Sequence, residues 1–110
     1  MFLDKQAVDY SLYLVTDQNM LQGRDFLSCV EAALAGGVTL LQLREKNLSS
    51  RDFYTVALQL KHLCQPYRVP LIINDRLDIM LAVDADGLHI GQEDMPVNIA
   101  RQLIGADKLL

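Results

Sequence analysis

Seven residues of this chain are of kinds that could hold a charged ligand between them. They are Gln42, Arg44 and Lys46 in GGVTLLQLREKN, Asn74 and Asp75 in IINDR, and His89 and Asp94 in GLHIGQED. Gln42, Arg44 and Lys46 stand at alternate positions after the apolar run 38–41, so an extended backbone projects all three from one face, opposite Leu41 and Leu43. Asp75 and Asp94 supply hard oxygen ligands from two separate segments, which suits Mg2+ held by a pair of carboxylates with substrate phosphates and water. Arg44 and Lys46 beside such an ion add the fixed positive charge that a diphosphate needs if it is to be bound and to leave as an anion. No Ser-His-Asp set, activated Cys or close acid/base carboxylate pair competes, so the implied chemistry is electrostatic rather than nucleophilic.

Each group also has an ordinary reading when taken alone. Arg44 and Lys46 could be solvated charges leaving a strand, and Asn74 or Asp75 a helix cap. His89, flanked by Leu88 and Ile90, could be a structural strand histidine, and Asp94 the acidic residue in front of a helix. His62 falls on the polar side of its helix and is expected in solvent. What sets the seven apart is that they all fall at the carboxyl ends of strands.

The elements that position them follow from periodicity. The run SLYLVT at 11–16 predicts a first strand, with Thr16 and Asp17 at its end. From Arg24 the spacing changes: Phe26, Val30, Ala33 and Leu34 share a helical face closed by Gly36 and Gly37. Residues 38–44 form the next strand. Ser49, Ser50 and Asp52 open a second helix whose inner face is Phe53, Val56, Ala57, Leu60 and Cys64, ending at Pro66. A third strand is expected over 70–73, a short helix over 77–83 and a fourth strand over 87–90, followed by Gln92 and Glu93. Pro96 then opens a helix through Ile104, and Lys108, Leu109 and Leu110 begin a fifth strand.

Strands alternating with helices, with continuous apolar stretches such as LYLV and LII, mark parallel strands covered on both faces. A doubly wound sheet and a (β/α)8 TIM barrel both have this rhythm. Neither GxGxxG nor GxxxxGK[ST] occurs, which removes support from the commonest nucleotide-binding open sheets and favours the barrel. A barrel needs about 250 residues, whereas this chain has 110. It is therefore expected to be a single partial domain over 1–110, the first four βα units plus the start of strand five, cut from something longer. Its open edges are expected to promote self-association. In parallel α/β folds the carboxyl ends of the strands share one rim, where ligand sites are found, so the seven polar residues would converge there.

Composition narrows the partners. With 51% hydrophobic residues the chain can fill a core, and its net charge of -4 argues against nucleic acid, which calls for a basic surface. Asp4 and Lys5 interrupt any signal-peptide core, and no apolar run approaches the roughly 18 residues of a membrane span. A cytoplasmic protein without membrane contact is expected. Cys29 and Cys64 lack CxxC or metal-ligand spacing and are expected to be reduced core thiols.

YLVTD at 13–17, GGVTLLQLREK at 36–46, PLIINDRLDIMLAVDADGLHIGQEDMP at 70–96 and GADK at 105–108 together resemble the thiamine phosphate synthases, a TIM-barrel family. The resemblance implies an enzyme joining hydroxymethylpyrimidine diphosphate to hydroxyethylthiazole phosphate, with Mg2+, to give thiamine phosphate and pyrophosphate. It implies that Gln42, Asn74 and His89 lie at the aminopyrimidine, that Arg44 and Lys46 with Asn74 hold the diphosphate, and that Asp75 and Asp94 bind Mg2+. A dissociative route follows, in which pyrophosphate leaves before the thiazole nitrogen attacks. The related thiazole tautomerase generally lacks this full set, and an inactive fragment is the remaining alternative.

Overall fold

The structure is a computed structural model describing residues 7–16, 25–46, 48–91 and 94–110. Strands β1 (Tyr13–Val15), β2 (Leu40–Leu43), β3 (Leu71–Asn74) and β4 (Gly87–His89) form one parallel sheet in the order β1-β2-β3-β4. Helices α1 (Phe26–Ala35), α2 (Ser50–Cys64) and α3 (Leu77–Val83) make the crossovers, and α4 (Val97–Ile104) follows β4. A doubly wound sheet changes direction at a switch point and so has a non-sequential order. The unbroken sequential order found here, with every crossover returning the same way, is that of a barrel wall.

Alternation gives the sheet two unlike faces. Leu41, Leu43, Leu71, Ile73 and Leu88 point toward the helices and are buried with Val30 and Leu34 of α1, Phe53, Ala57 and Leu60 of α2, and Met80 of α3. The other parity, Tyr13, Leu40, Gln42, Ile72, Asn74 and His89, forms the inner face. Register sets Gln42 beside Ile72, and Asn74 beside His89.

Local chemistry moves several expected boundaries. Asp25 caps α1 by accepting from the Leu27 N–H at 3.1 Å, so the helix begins at Phe26, and Arg24 lies outside the described residues. Gly36 closes it with its N–H on Ala32 O, and Gly37 turns the chain at φ 113, a region that favours glycine. The strand expected over 38–44 shortens to Leu40–Leu43, because Val38 N–H is still tied to Ala33 O of α1. Ser49 caps α2 as expected, accepting from Asp52 N–H at 3.1 Å, and Pro66 sits in a 3-10 turn, Gln65–Tyr67. The third strand runs one residue later than expected, taking in Asn74, since Pro70 has no N–H for the ladder. Pro96 stands just before α4 rather than inside its first turn.

The fifth strand is reduced to one parallel bridge, Gly87 with Leu109, made by Leu88 N–H on Leu109 O at 3.0 Å and Leu109 N–H on Asp86 O at 2.9 Å. Glycine is required at position 87, since a Cβ there would lie 2.6 Å from Leu109 Cβ and 2.8 Å from Leu109 O. Gly87→Ala is expected to cost about 1–3 kcal/mol by overpacking against backbone that must move. Urea denaturation measures it, and a loss under 0.5 kcal/mol would show that Leu109 does not sit against β4.

Both cysteines are free, Cys64 buried and Cys29 half-buried. Burial, helped by the negative charge of Asp86, pushes the Cys64 thiol up to about 12, so it stays protonated at neutral pH. No helix among the described residues is long and apolar enough to cross a membrane.

Candidate functional site

Lys46 lies three residues beyond β2, and its ammonium reaches across the rim to β3. Its Nζ donates to Asn74 Oδ1 at 3.2 Å and stands 3.5 Å from Asp75 Oδ2. Asn74 Nδ2 donates in turn to Gln42 Oε1 at 2.8 Å, and Gln42 Nε2 donates to the Tyr13 hydroxyl at 2.7 Å. Four side chains from three strands and one strand exit are thereby joined. Gln42 and Asn74 are 4% and 9% exposed, so their amides need these partners to offset lost hydration.

Asp75 occupies a strained backbone position. Its φ is 72°, and Arg76 N–H bonds back to Asn74 O at 2.8 Å, so Asp75 is the centre of a tight three-residue turn. Aspartate tolerates this left-handed region better than most residues, and the Asp75 N–H is fixed on His89 O at 2.8 Å. Strain of this kind persists only where the surroundings hold it and tends to cluster at functional sites. Its effect here is to aim the carboxylate across the rim toward Lys46 and Asp94.

Asp94 lies against Asp75. A hydrogen bond between the two carboxyls, aided by burial and by the neighbouring negative charge, raises Asp75, while the same bond lowers Asp94, which also accepts from Gly91 N–H. Two carboxylates set against each other repel unless positive charge lies beside them, and Lys46, 3.5 Å from Asp75, supplies part of it. A divalent cation would supply more, and Mg2+ needs only one or two protein carboxylates when phosphates complete its shell. The donor set thus fits Mg2+, although no group of three or more His, Cys, Asp or Glu placed to hold a metal occurs among the described residues.

Of the seven residues singled out in the sequence, Gln42, Lys46, Asn74, Asp75 and Asp94 come together through these bonds. His89 is on the same face beside Asn74, with its side chain exposed and its carbonyl holding Asp75. Arg44 is at the same rim but makes its bond through the backbone, its N–H donating to Thr16 Oγ1 at 3.1 Å. No ion pair of Arg44 occurs among the described residues. The capping readings do not hold for Asn74 or Asp75, since Arg76 stands at the cap of α3, while Asp94 stands two residues before Pro96 at the cap of α4 and accepts from Gly91 N–H. Asp17, Gln92 and Glu93 lie outside the described residues.

Tyr13 was not among the candidates. Its parity on β1 is the available signal, since it shares the inner face with Leu40 and Gln42, but phenols are common on strands and the run LYLV gave no reason to separate it. Arg76 is held away from the rim: it donates to Asp78 and to Ser50 Oγ, and its guanidinium lies 5.6 Å from the centre of the Phe53 ring.

Known proteins share the sequence and the sheet of this chain. The family model described as thiamine monophosphate synthase matches residues 12–110. The thiamine-phosphate synthase of Alkaliphilus oremlandii is 58% identical over 104 residues, covering 94% of this chain and 50% of that protein. That of Clostridium acetobutylicum is 58% identical over 103 residues, covering 94% and 49%. A solved structure of thiamine phosphate pyrophosphorylase from Pyrococcus furiosus superposes with a TM-score of 0.77 at 39% identity, over 84% of this chain and 44% of that one. The chain spans about half the length of the curated relatives it matches. With a family model covering nearly all of it and the sheet order of a barrel wall, this chain belongs to the thiamine monophosphate synthase family.

Proposed function

We propose that residues 1–110 are the pyrimidine-diphosphate half of a TIM-barrel thiamine phosphate synthase. The whole reaction would condense hydroxymethylpyrimidine diphosphate with hydroxyethylthiazole phosphate, releasing pyrophosphate. The observation that carries this reading is the convergence of Lys46, Asn74, Asp75 and Asp94 from three strand exits on one spot. A cation, an amide and two neighbouring carboxylates together suit a diphosphate bound with a divalent metal.

In this reading Lys46 and Arg44 hold the phosphates and stabilise the charge that builds as the bond to the pyrimidine methylene breaks, where each ~1.4 kcal/mol of preference is a tenfold gain in rate. The electron pair leaves with the pyrophosphate, and the thiazole nitrogen donates a pair to the methylene carbon. Asp75 and Asp94 would hold Mg2+, which when bound neutralises part of the diphosphate charge. Gln42, Asn74 and His89 border the pyrimidine. The setting is the cytoplasm. Exposed sheet edges are where self-association would occur, as an unpaired strand edge is a template for another chain.

Calorimetry tests the reading: the 110 residues should bind the pyrimidine diphosphate only when Mg2+ is present. A chain of the relatives' full length should also form thiamine phosphate and pyrophosphate in equal amounts from both substrates. Binding unchanged by Mg2+, or no binding to the 110 residues at millimolar ligand, would overturn it.

A further inference from the structure

The turn that aims Asp75 is tied down at both ends. Asp75 sits at φ 72° with Arg76 N–H returning to Asn74 O at 2.8 Å, and a turn of this form is rare and strained. The Asp75 N–H on His89 O, at 2.8 Å, fixes the entry to the turn. Arg76 fixes the exit. Its carbonyl accepts from Met80 N–H at 3.0 Å. Its Nε and Nη2 donate to Asp78 Oδ1 and Oδ2 at 3.0 and 2.8 Å, a bidentate pair with the first turn of α3. Nη2 also donates to Ser50 Oγ at 2.8 Å, on the first residue of α2, and the guanidinium lies over the buried Phe53 ring of that helix.

These attachments do little for stability as such. The side chains of Arg76 and Asp78 are 31% and 65% exposed, and ion pairs this open to solvent are weak because water screens them. Their consequence is geometric. A strained residue keeps its conformation only where the surroundings hold it, and an aspartate released from the left-handed region relaxes to negative φ. That relaxation would swing the carboxylate away from Lys46 and Asp94. Arg76 itself makes its side-chain bonds behind the rim, so it acts on the site only through the backbone of its neighbour.

Resting on the reading above, in which Asp75 faces a diphosphate and its metal, we propose that Arg76 is a positioning residue: bracketed by Asp78, Ser50 and Phe53, it holds the turn at Asp75 in its left-handed form and so keeps that carboxylate directed toward Lys46 and Asp94. Geometry and charge make opposite predictions for Asp78→Ala. Removing that carboxylate unfastens Arg76 but leaves its positive charge less neutralised. A bracket that is lost weakens anion binding, whereas a stronger positive field tightens it.

Calorimetry with inorganic pyrophosphate and Mg2+ compares Arg76→Gln, Arg76→Lys and Asp78→Ala with wild type. Each variant is expected to bind about tenfold more weakly, the size of effect seen when a group that orients a metal ligand is removed. Arg76→Lys belongs with the others because it keeps the charge and loses the fork. Wild-type affinity in Arg76→Lys, or unchanged or tighter binding in Asp78→Ala, overturns the proposal. Amide hydrogen exchange in the protein without ligand or metal supplies a readout independent of binding. The Asp75 N–H should exchange about tenfold faster in Arg76→Gln and in Asp78→Ala, as expected for a local opening. The Leu71 N–H, held on Asp86 Oδ2 at 2.8 Å at the other end of β3, should stay within about twofold. No acceleration at Asp75, or equal acceleration at both amides, which a general loss of stability would give, also overturns it. If wild type fails to bind pyrophosphate while the Asp75 N–H alone responds, the bracket stands and the diphosphate reading of the site falls.

Discussion

Replacing Lys46 with methionine is expected to weaken Mg2+-dependent pyrophosphate binding about 100-fold, since hydrogen bonds to charged groups are worth roughly 1.5–3 kcal/mol and 1.4 kcal/mol is a factor of ten. The size of the effect comes from two roles on one atom. The ammonium supplies positive charge at the rim, and it also orients Asn74, whose Oδ1 it holds at 3.2 Å. Methionine keeps much of the apolar stem and removes both roles. Lys46→Arg should recover only part of the loss, because a planar fork cannot replace a compact ammonium between Asn74 and Asp75 without moving one of them. Lys61 is the control: its Nζ donates to Val83 O at 2.7 Å, at the end of α3, so Lys61→Met should leave the binding constant within twofold. Calorimetric titration of pyrophosphate with and without Mg2+ measures all three variants, and a Lys46→Met constant within threefold of wild type would remove Lys46 from the site.

The second large effect is on stability. Phe53 is 1% exposed and is among the largest fully buried side chains, set in α2 against the helix-facing side of the sheet. Phe53→Ala is expected to cost about 3–5 kcal/mol, the transfer free energy of the ring plus the cavity it leaves. Against the 5–15 kcal/mol that holds a domain of this size together, that removes about a fifth of the total or more. The Phe53 ring also lies under the Arg76 guanidinium, which donates to Ser50 Oγ at 2.8 Å and so ties the turn after Asp75 to the start of α2. Thermal unfolding followed by circular dichroism should show a drop of more than 10 °C, as each kcal/mol shifts Tm by ~4–8 °C in small domains. A loss under 1.5 kcal/mol would mean the core closes over the gap, and the packing described for α2 would need revision.

Much of this fold could be inferred from the sequence because its signals are local. The strand and helix periods of YLV, LLQL, LIIN and the α2 face Phe53, Ala57, Leu60 and Cys64 depend only on which residues lie two or three to four apart, and the parity that sets Gln42 opposite Leu41 and Leu43 is a property of any extended chain. Boundaries moved by one or two residues where a bond from outside the element intervened, as when Ala33 O kept Val38 out of β2. The fifth strand became a single bridge at Leu109, and the cap roles considered for Asn74 and Asp75 gave way to bonds with residues distant in sequence.

The residue types gathered at the rim, two cations, two amides, a histidine and two carboxylates, were fixed by the order of amino acids, because parallel crossovers bring successive strand exits to one side whatever the details. How those groups meet was decided by three-dimensional arrangement alone. That Asp75 turns through φ 72° to face Asp94 and Lys46 depends on register and turn strain between separate strands. That Tyr13, 33 positions before Lys46 in the numbering, ends a relay begun by that lysine depends on the pairing of β1 with β2 and of β2 with β3. A one-residue slip in either pairing would turn these side chains away from one another, and no pattern confined to one segment encodes it.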